Sequence, residues 1–175
     1  MSLREPEPSG RVIELMQRKL LKDRIYPQRL YALGLKDLVA KHIEGAKSRV
    51  WRFTAELGGG DMALDVSHSG RGMSPKMASF SRGRHVTQAR NAMRKVVAWK
   101  EVKEHDYELR LLSIPDLAVE AVWVKSRSRM PDLVLPYTPT DGLTKKQYRL
   151  DEFLEILKPA ALNRLKADRL LRVRR

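Results

Sequence analysis

The hydrophobic period of this chain changes near residue 50, and that change constrains the fold more than any other feature. In VWRFTAEL, residues 50–57, Trp51, Phe53, Ala55 and Leu57 alternate with Arg52, Thr54 and Glu56. This is the twofold repeat of a strand with one buried face. MALDVSH, residues 62–68, repeats it with Met62, Leu64 and Val66 set against Ala63, Asp65 and Ser67. Gly58-Gly59-Gly60-Asp61 lies between the runs and supplies the backbone freedom of a tight reversal. Residues 50–68 are therefore predicted to form a β-hairpin.

A second hairpin follows from YELRLLSIPDLAVEAVWVK. Tyr107, Leu109 and Leu111 alternate with Glu108 and Arg110, Pro115 and Asp116 suit a turn, and Leu117, Val119, Ala121 and Trp123 return along the apolar face. Between the hairpins, Val86, Ala89, Met93, Val96, Val97 and Lys100 trace one side of a helix over about 84–103. Leu133 to Leu135 reads as a short edge strand whose ends Pro131 and Pro136 would blunt.

Helical spacing returns at both ends of the chain. Ser9 caps a predicted helix carrying Val12, Ile13, Leu15, Met16 and Leu20, interrupted at Pro27; a second, with Leu30, Leu33, Leu38 and Ile43, starts near Pro27 and ends near Gly45. Leu150, Phe153, Leu154 and Leu157 define a C-terminal helix, with a break or restart at Pro159. The predicted fold is α+β, a central antiparallel sheet of two hairpins in ββαββ order with flanking N- and C-terminal helices. Residues 1–8, with Glu5-Pro6-Glu7-Pro8, read as an extended arm, 9–172 as one domain and 173–175 as a basic tail.

Charge gives the strongest indication of function. The 175 residues hold 35 Lys and Arg against 21 Asp and Glu, a formal net charge of +14. The excess is uneven, with nine cations against three carboxylates in 66–106 and seven against one in 158–175, whereas the hairpins are nearly neutral. Concentrated cations can release counterions from several phosphates at once. The candidate polyanion-binding residues are Arg71, Arg82, Arg84, Arg90, Arg94, Arg169, Arg172, Arg174 and Arg175. Solvated helix faces and a frayed tail would explain the same charges without a ligand.

The stretch HSGRGMSPKMASFSRGRH, residues 68–85, offers two uses. Its glycines and arginines could cradle an anion at the helix start; alternatively it is a mobile connection in which Ser79 or Ser81 caps the helix. It matches neither the P-loop spacing nor the dinucleotide-binding glycine pattern. Asp65, His68 and Ser69 are the residue types of a hydrolytic triad but lack its elbow motif, and no zinc spacing joins His42, His68, His85 and His105. Asp61 and Asp65 would need further carboxylates to hold magnesium. Trp51, Phe53, Tyr107 and Trp123 lie on apolar strand faces and are assigned to the core beneath the central helix rather than to base stacking.

The absence of cysteine excludes disulfides, thiolate nucleophiles and Cys-ligated metals. No apolar run approaches the ~20 residues that span a bilayer, so the reading is a soluble, cytoplasmic protein. No metal or cofactor is predicted. The expected function is a non-enzymatic binding domain for a polyanion, nucleic acid first, through backbone phosphates rather than base readout. The alternative is a protein-interaction or assembly module whose positive charge serves solubility and association rate.

Overall fold

The computed structural model describes residues 26–57, 60–67, 76–144 and 147–173. Among them eight strands form one sheet: β1 Tyr26–Ala32, β2 Lys47–Leu57, β3 Gly60–Ser67, β4 Lys76–Arg82, β5 Tyr107–Ile114, β6 Val119–Ser126, β7 Leu133–Pro136 and β8 Tyr148–Arg149. Their order is β4-β3-β2-β1-β5-β6-β7-β8. Neighbours are antiparallel except β1 and β5, which run parallel at Leu30–Leu111, Tyr31–Leu112 and Ala32–Ser113. Two antiparallel meanders are thus joined side by side through one short parallel seam. The class is α+β, and the sheet is mixed and mostly antiparallel.

Four α-helices among the described residues accompany it: α1 Leu35–Val39, α2 Arg84–Val97, α3 Lys100–Glu104 and α4 Leu150–Val173. The connection from β4 at one edge to β5 beside β1 is made by α2 and α3. Residues alternate between the two sheet faces, and each face meets a different helix. Leu109, Leu111, Val122, Val124, Leu133 and Leu135 pack with Ala89, Ala92, Met93 and Val96 of α2. Leu112, Ile114, Val119, Ala121, Trp123 and Val134 pack with Leu150, Phe153, Leu154, Leu157 and Ala161 of α4 and with Leu35 and Leu38 of α1.

Both predicted hairpins are present, β2 with β3 and β5 with β6, but they belong to a larger mixed sheet rather than an all-antiparallel ββαββ core. The helix predicted from Pro27 is a strand as far as Ala32. Pro27 is tolerated because β5 pairs with β1 only from Leu30 onward, so the ladder at Pro27 is made on one side, to Phe53 of β2. Part of the presumed 68–85 loop is β4, whose hydrogen bonds come from β3. The strand near Leu133 is not an edge, because β8 pairs beyond it. Ala98 and Trp99 divide the single helix expected over 84–103.

Pro159 stands inside an unbroken α4. Proline costs a helix interior about 3 kcal/mol, and burial of Phe153, Leu154 and Leu157 before it and Ala161 after it offsets that cost. The helix predicted over residues 9–26, apart from Tyr26 in β1, falls outside the described residues.

Candidate nucleic-acid interface

The sequence of α2, RHVTQARNAMRKVV, has four Lys or Arg residues and no carboxylate. Val86, Ala89, Ala92, Met93 and Val96 recur at helical spacing and are buried, so the helix must lie with this stripe on the sheet. The opposite side then faces outward, and Arg84, Arg94 and Lys95 are exposed there. Gly83 starts the helix with φ +111°, a conformation that disfavours a side chain, and no side-chain cap bond is made. The predicted Ser79 and Ser81 caps are instead strand residues of β4, and Ser79 Oγ donates 3.1 Å to Asp65 Oδ2.

The remaining predicted cations occupy distinct surroundings. Arg82 ends β4 and is exposed; its guanidinium carbon stands 5.5 Å from the ring centre of Phe80. Pairing with Met62 places Arg82 on the sheet face opposite α2. Arg90 is half-buried and its guanidinium bonds to the Asp61 carboxylate. Arg169 and Arg172 are exposed on the last turns of α4. Arg71, Arg174 and Arg175 lie outside the described residues. Because α2 and α4 cover opposite faces, their cations form separate patches.

Beneath Arg90 and Arg94 is a cavity of about 250 Å³, lined also by Gln28 of β1, Thr54 of β2, Leu109 of β5 and by Met93 and Val97. Sequence reading missed Gln28 and Thr54, which sit on strands without any motif. The only available signal was that Thr54 alternates onto the polar face of VWRFTAEL, and that face is covered by α2 rather than by water. Lys95 was missed because it is one unremarkable cation among several.

The same sheet face carries a semi-buried charge network. Arg52 donates from Nε to Asp65 Oδ1 at 2.8 Å and from one terminal nitrogen to Asp65 Oδ2 at 3.0 Å. Its other terminal nitrogen lies 3.3 Å from Glu120 Oε1, and the Tyr137 hydroxyl donates to Glu120 Oε2 at 3.1 Å. Burial pulls the Arg52 guanidinium toward deprotonation, but Asp65 and Glu120 more than offset it and hold its pKa above the ordinary value. Burial, then the Glu120 charge, pushes the Tyr137 phenol above its usual range.

This network also reports the shape of the sheet. β1 and β5 lie between β2 and β6, so three strand spacings would separate Arg52 and Glu120 by about 14 Å or more in a flat sheet. Only side chains extended flat across β1 and β5 could span that gap, so the pair favours a sheet curled toward α2. The helix agrees, packing on β3 and β4 to one side and on β6 and β7 to the other.

These contacts also account for Asp61 and Asp65, the acids that the sequence offers for catalysis or a metal. Asp65 is engaged by Arg52 and Ser79, and Asp61 by Arg90. His68 and Ser69 lie outside the described residues. No group of three or more His, Asp or Glu side chains is arranged to hold a metal among the described residues. Trp51, Phe53, Tyr107 and Trp123 are all buried, but only Tyr107 packs beneath α2. Trp123 belongs to the α4 side, with its indole N–H donating 2.9 Å to Asp132. No helix among the described residues is long and apolar enough to cross a membrane.

A larger hollow of about 680 Å³ lies between the 137–144 loop and α4, lined chiefly by Leu, Pro, Thr and Ala side chains, with Asp141 its charged member among the described residues. No family model matches the chain, and no curated protein and no solved structure shows significant similarity to it.

Proposed function

We propose that this chain is a non-enzymatic nucleic-acid-binding domain that holds the phosphate backbone on the outer face of α2. The observation that carries this reading is the exposed set Arg84, Arg94 and Lys95 on a helix without a carboxylate. Cations that meet no neighbouring acid have their charge available to a phosphate. Arg90 belongs to the wall rather than to the contact surface, since Asp61 already neutralises it. The exposed Arg169 and Arg172, on the helix that covers the opposite sheet face, form a second patch.

The test is fluorescence anisotropy with a labelled single strand, a duplex and an uncharged-backbone strand across a salt series. Three phosphate contacts predict a log–log salt slope of about −2 to −3. Arg84→Ala, Arg94→Ala and Lys95→Ala together should remove most of that slope while Arg169→Ala and Arg172→Ala leave it in place. Equal binding to the uncharged backbone would reject the reading.

A second reading is supported by α4. Beyond Leu165, which still packs against the core, the helix runs outward, and Leu170 and Leu171 are 68 % and 65 % exposed. Exposed leucines beside Arg169 and Arg172 suit a protein-interaction module. A saturable protein complex lost on Leu170→Glu, with weak salt dependence, would favour it over the first.

A further inference from the structure

Among the described residues, the cavity under Arg94 has two buried polar atoms with no partner. Gln28 is 1 % and Thr54 0 % exposed, and Gln28 Oε1 and Thr54 Oγ1 accept or donate no hydrogen bond. Both residues line the same cavity. A protein interior rarely leaves such groups unsatisfied, because each has lost its hydration without a replacement hydrogen bond. Two of them, on neighbouring strands that both line one cavity, mark a place where an incoming group can complete the bonding after a small side-chain shift.

The rest of the lining defines what fits. Met93, Val97 and Leu109 give apolar walls, the amide and hydroxyl lie deep, and Arg94 is the exposed cation at the helix side. Arg90 is held by Asp61 and serves as wall. A volume of about 250 Å³ equals the space of roughly eight waters at about 30 Å³ each. That lies below the roughly 300–1,000 Å³ of sites for larger ligands, so the cavity suits one ring system. A planar heterocycle whose edge offers an N–H to Gln28 Oε1 and a second polar atom to Thr54, with an anionic group outside on Arg94, meets every feature.

We infer that this cavity receives a single nucleobase whose phosphate is held by Arg94. The inference rests on the nucleic-acid reading and deepens it: α2 grips the backbone and one unstacked base enters beneath the helix. A free nucleotide presents the same chemistry as a nucleotide within a strand. Apolar walls and two deep polar groups discriminate ring edges only weakly, so the pocket accepts a base without demanding a long sequence.

Titration calorimetry of the full chain against the four nucleoside 5′-monophosphates, the unphosphorylated nucleosides and inorganic phosphate tests it. At least one monophosphate should saturate and exceed both its nucleoside and inorganic phosphate. Thr54→Val should weaken it about threefold to tenfold without lowering the urea midpoint, because the lost hydroxyl had no protein partner. Val97→Trp, at a position 46 % exposed, should close the mouth and abolish saturation without unfolding the core.

A short strand with abasic positions supplies the second arm. Weaker binding than the intact strand, with the difference erased in Val97→Trp, assigns the base to a strand; equal binding with saturable monophosphates assigns the pocket to a free nucleotide. Monophosphates that bind no better than inorganic phosphate, with Thr54→Val and Val97→Trp neutral, would mean ordered water alone fills the cavity and would overturn the inference. A retained salt slope in that case leaves the backbone reading intact. Loss of the slope with saturable nucleotide binding would instead reject the backbone reading and keep the pocket.

Discussion

The two faces of the sheet are built from different chemistry. On the α4 side, Leu112, Ile114, Ala121, Trp123 and Val134 meet Phe153, Leu154 and Leu157 in an apolar layer, with Arg110 over the Trp123 ring and paired to Glu108 on the same face. The α2 side mixes apolar contacts with Gln28, Thr54, Arg52, Asp65 and Glu120. The centre of the α4 layer closes up, as interiors pack near crystal density, and the hollow beside it lies to one side, against the 137–144 loop. A face that buries hydrogen-bonding groups must match them in pairs, and where Gln28 and Thr54 lack a partner a cavity remains. The unpaired buried polar groups therefore belong to the α2 side, and the continuous apolar packing to the α4 side.

The sharpest break in that contrast is Phe153→Ala. Phe153 is 0 % exposed, so truncation should cost about 3–5 kcal/mol, read as a fall in urea midpoint with nucleic-acid affinity per folded molecule unchanged. On the other face, Arg52→Met leaves Asp65 and Glu120 without their cation and should cost about 3 kcal/mol by the same measurement. Adding Asp65→Leu should recover part of the loss, because Tyr137 still donates to Glu120. No recovery would mean that Arg52 acts through packing rather than through charge.

A smaller effect concerns Glu108, which accepts from Arg110 Nε at 2.8 Å and from Arg127 at 3.1 Å. Burial raises its pKa, but Arg110 and then Arg127 outweigh burial and hold it below the ordinary 4.5. A carboxylate depressed in the folded state adds stability above its unfolded pKa and loses it as pH falls through the folded value. Stability should thus decline below about pH 4.5, and Glu108→Gln should flatten that acid limb. An unchanged pH profile would remove Glu108 from the stabilising groups.

The smallest stability effects are expected at the exposed ends of both helices. Arg94→Ala and Leu171→Glu should each shift stability by no more than about 0.5 kcal/mol, yet they separate the two functional readings. Arg94→Ala should lower strand affinity and reduce the salt slope by about one. Leu171→Glu should leave both untouched, and a change in oligomeric state or partner capture would transfer function to α4.

The local patterns of this chain were legible where one element supplied the whole signal. The alternation in 50–57 and 62–67, the α2 stripe through Val96 and the Leu150–Leu157 stripe all correspond to observed elements. Leu30, Leu33 and Leu38 misled because a strand followed by a five-residue helix mimics helical spacing. β4 was missed because KMASFSR has no clean alternation and becomes a strand only by pairing with β3. The candidate site was half legible: Arg90 and Arg94 were identified from helical spacing, but the division of labour between them was not.

The sequence by itself determined the alternating strands, the amphipathic helices and the cationic excess, since each depends on neighbours a few residues apart. Tertiary structure alone decided which cations remain open and which polar groups are enclosed. Arg90 meets Asp61 across 29 positions and Arg52 meets Glu120 across 68, distances along the chain that no local period encodes. Gln28 and Thr54 share a cavity because β1 and β2 lie side by side while α2 crosses above them, and only the path of the folded chain brings those three segments together.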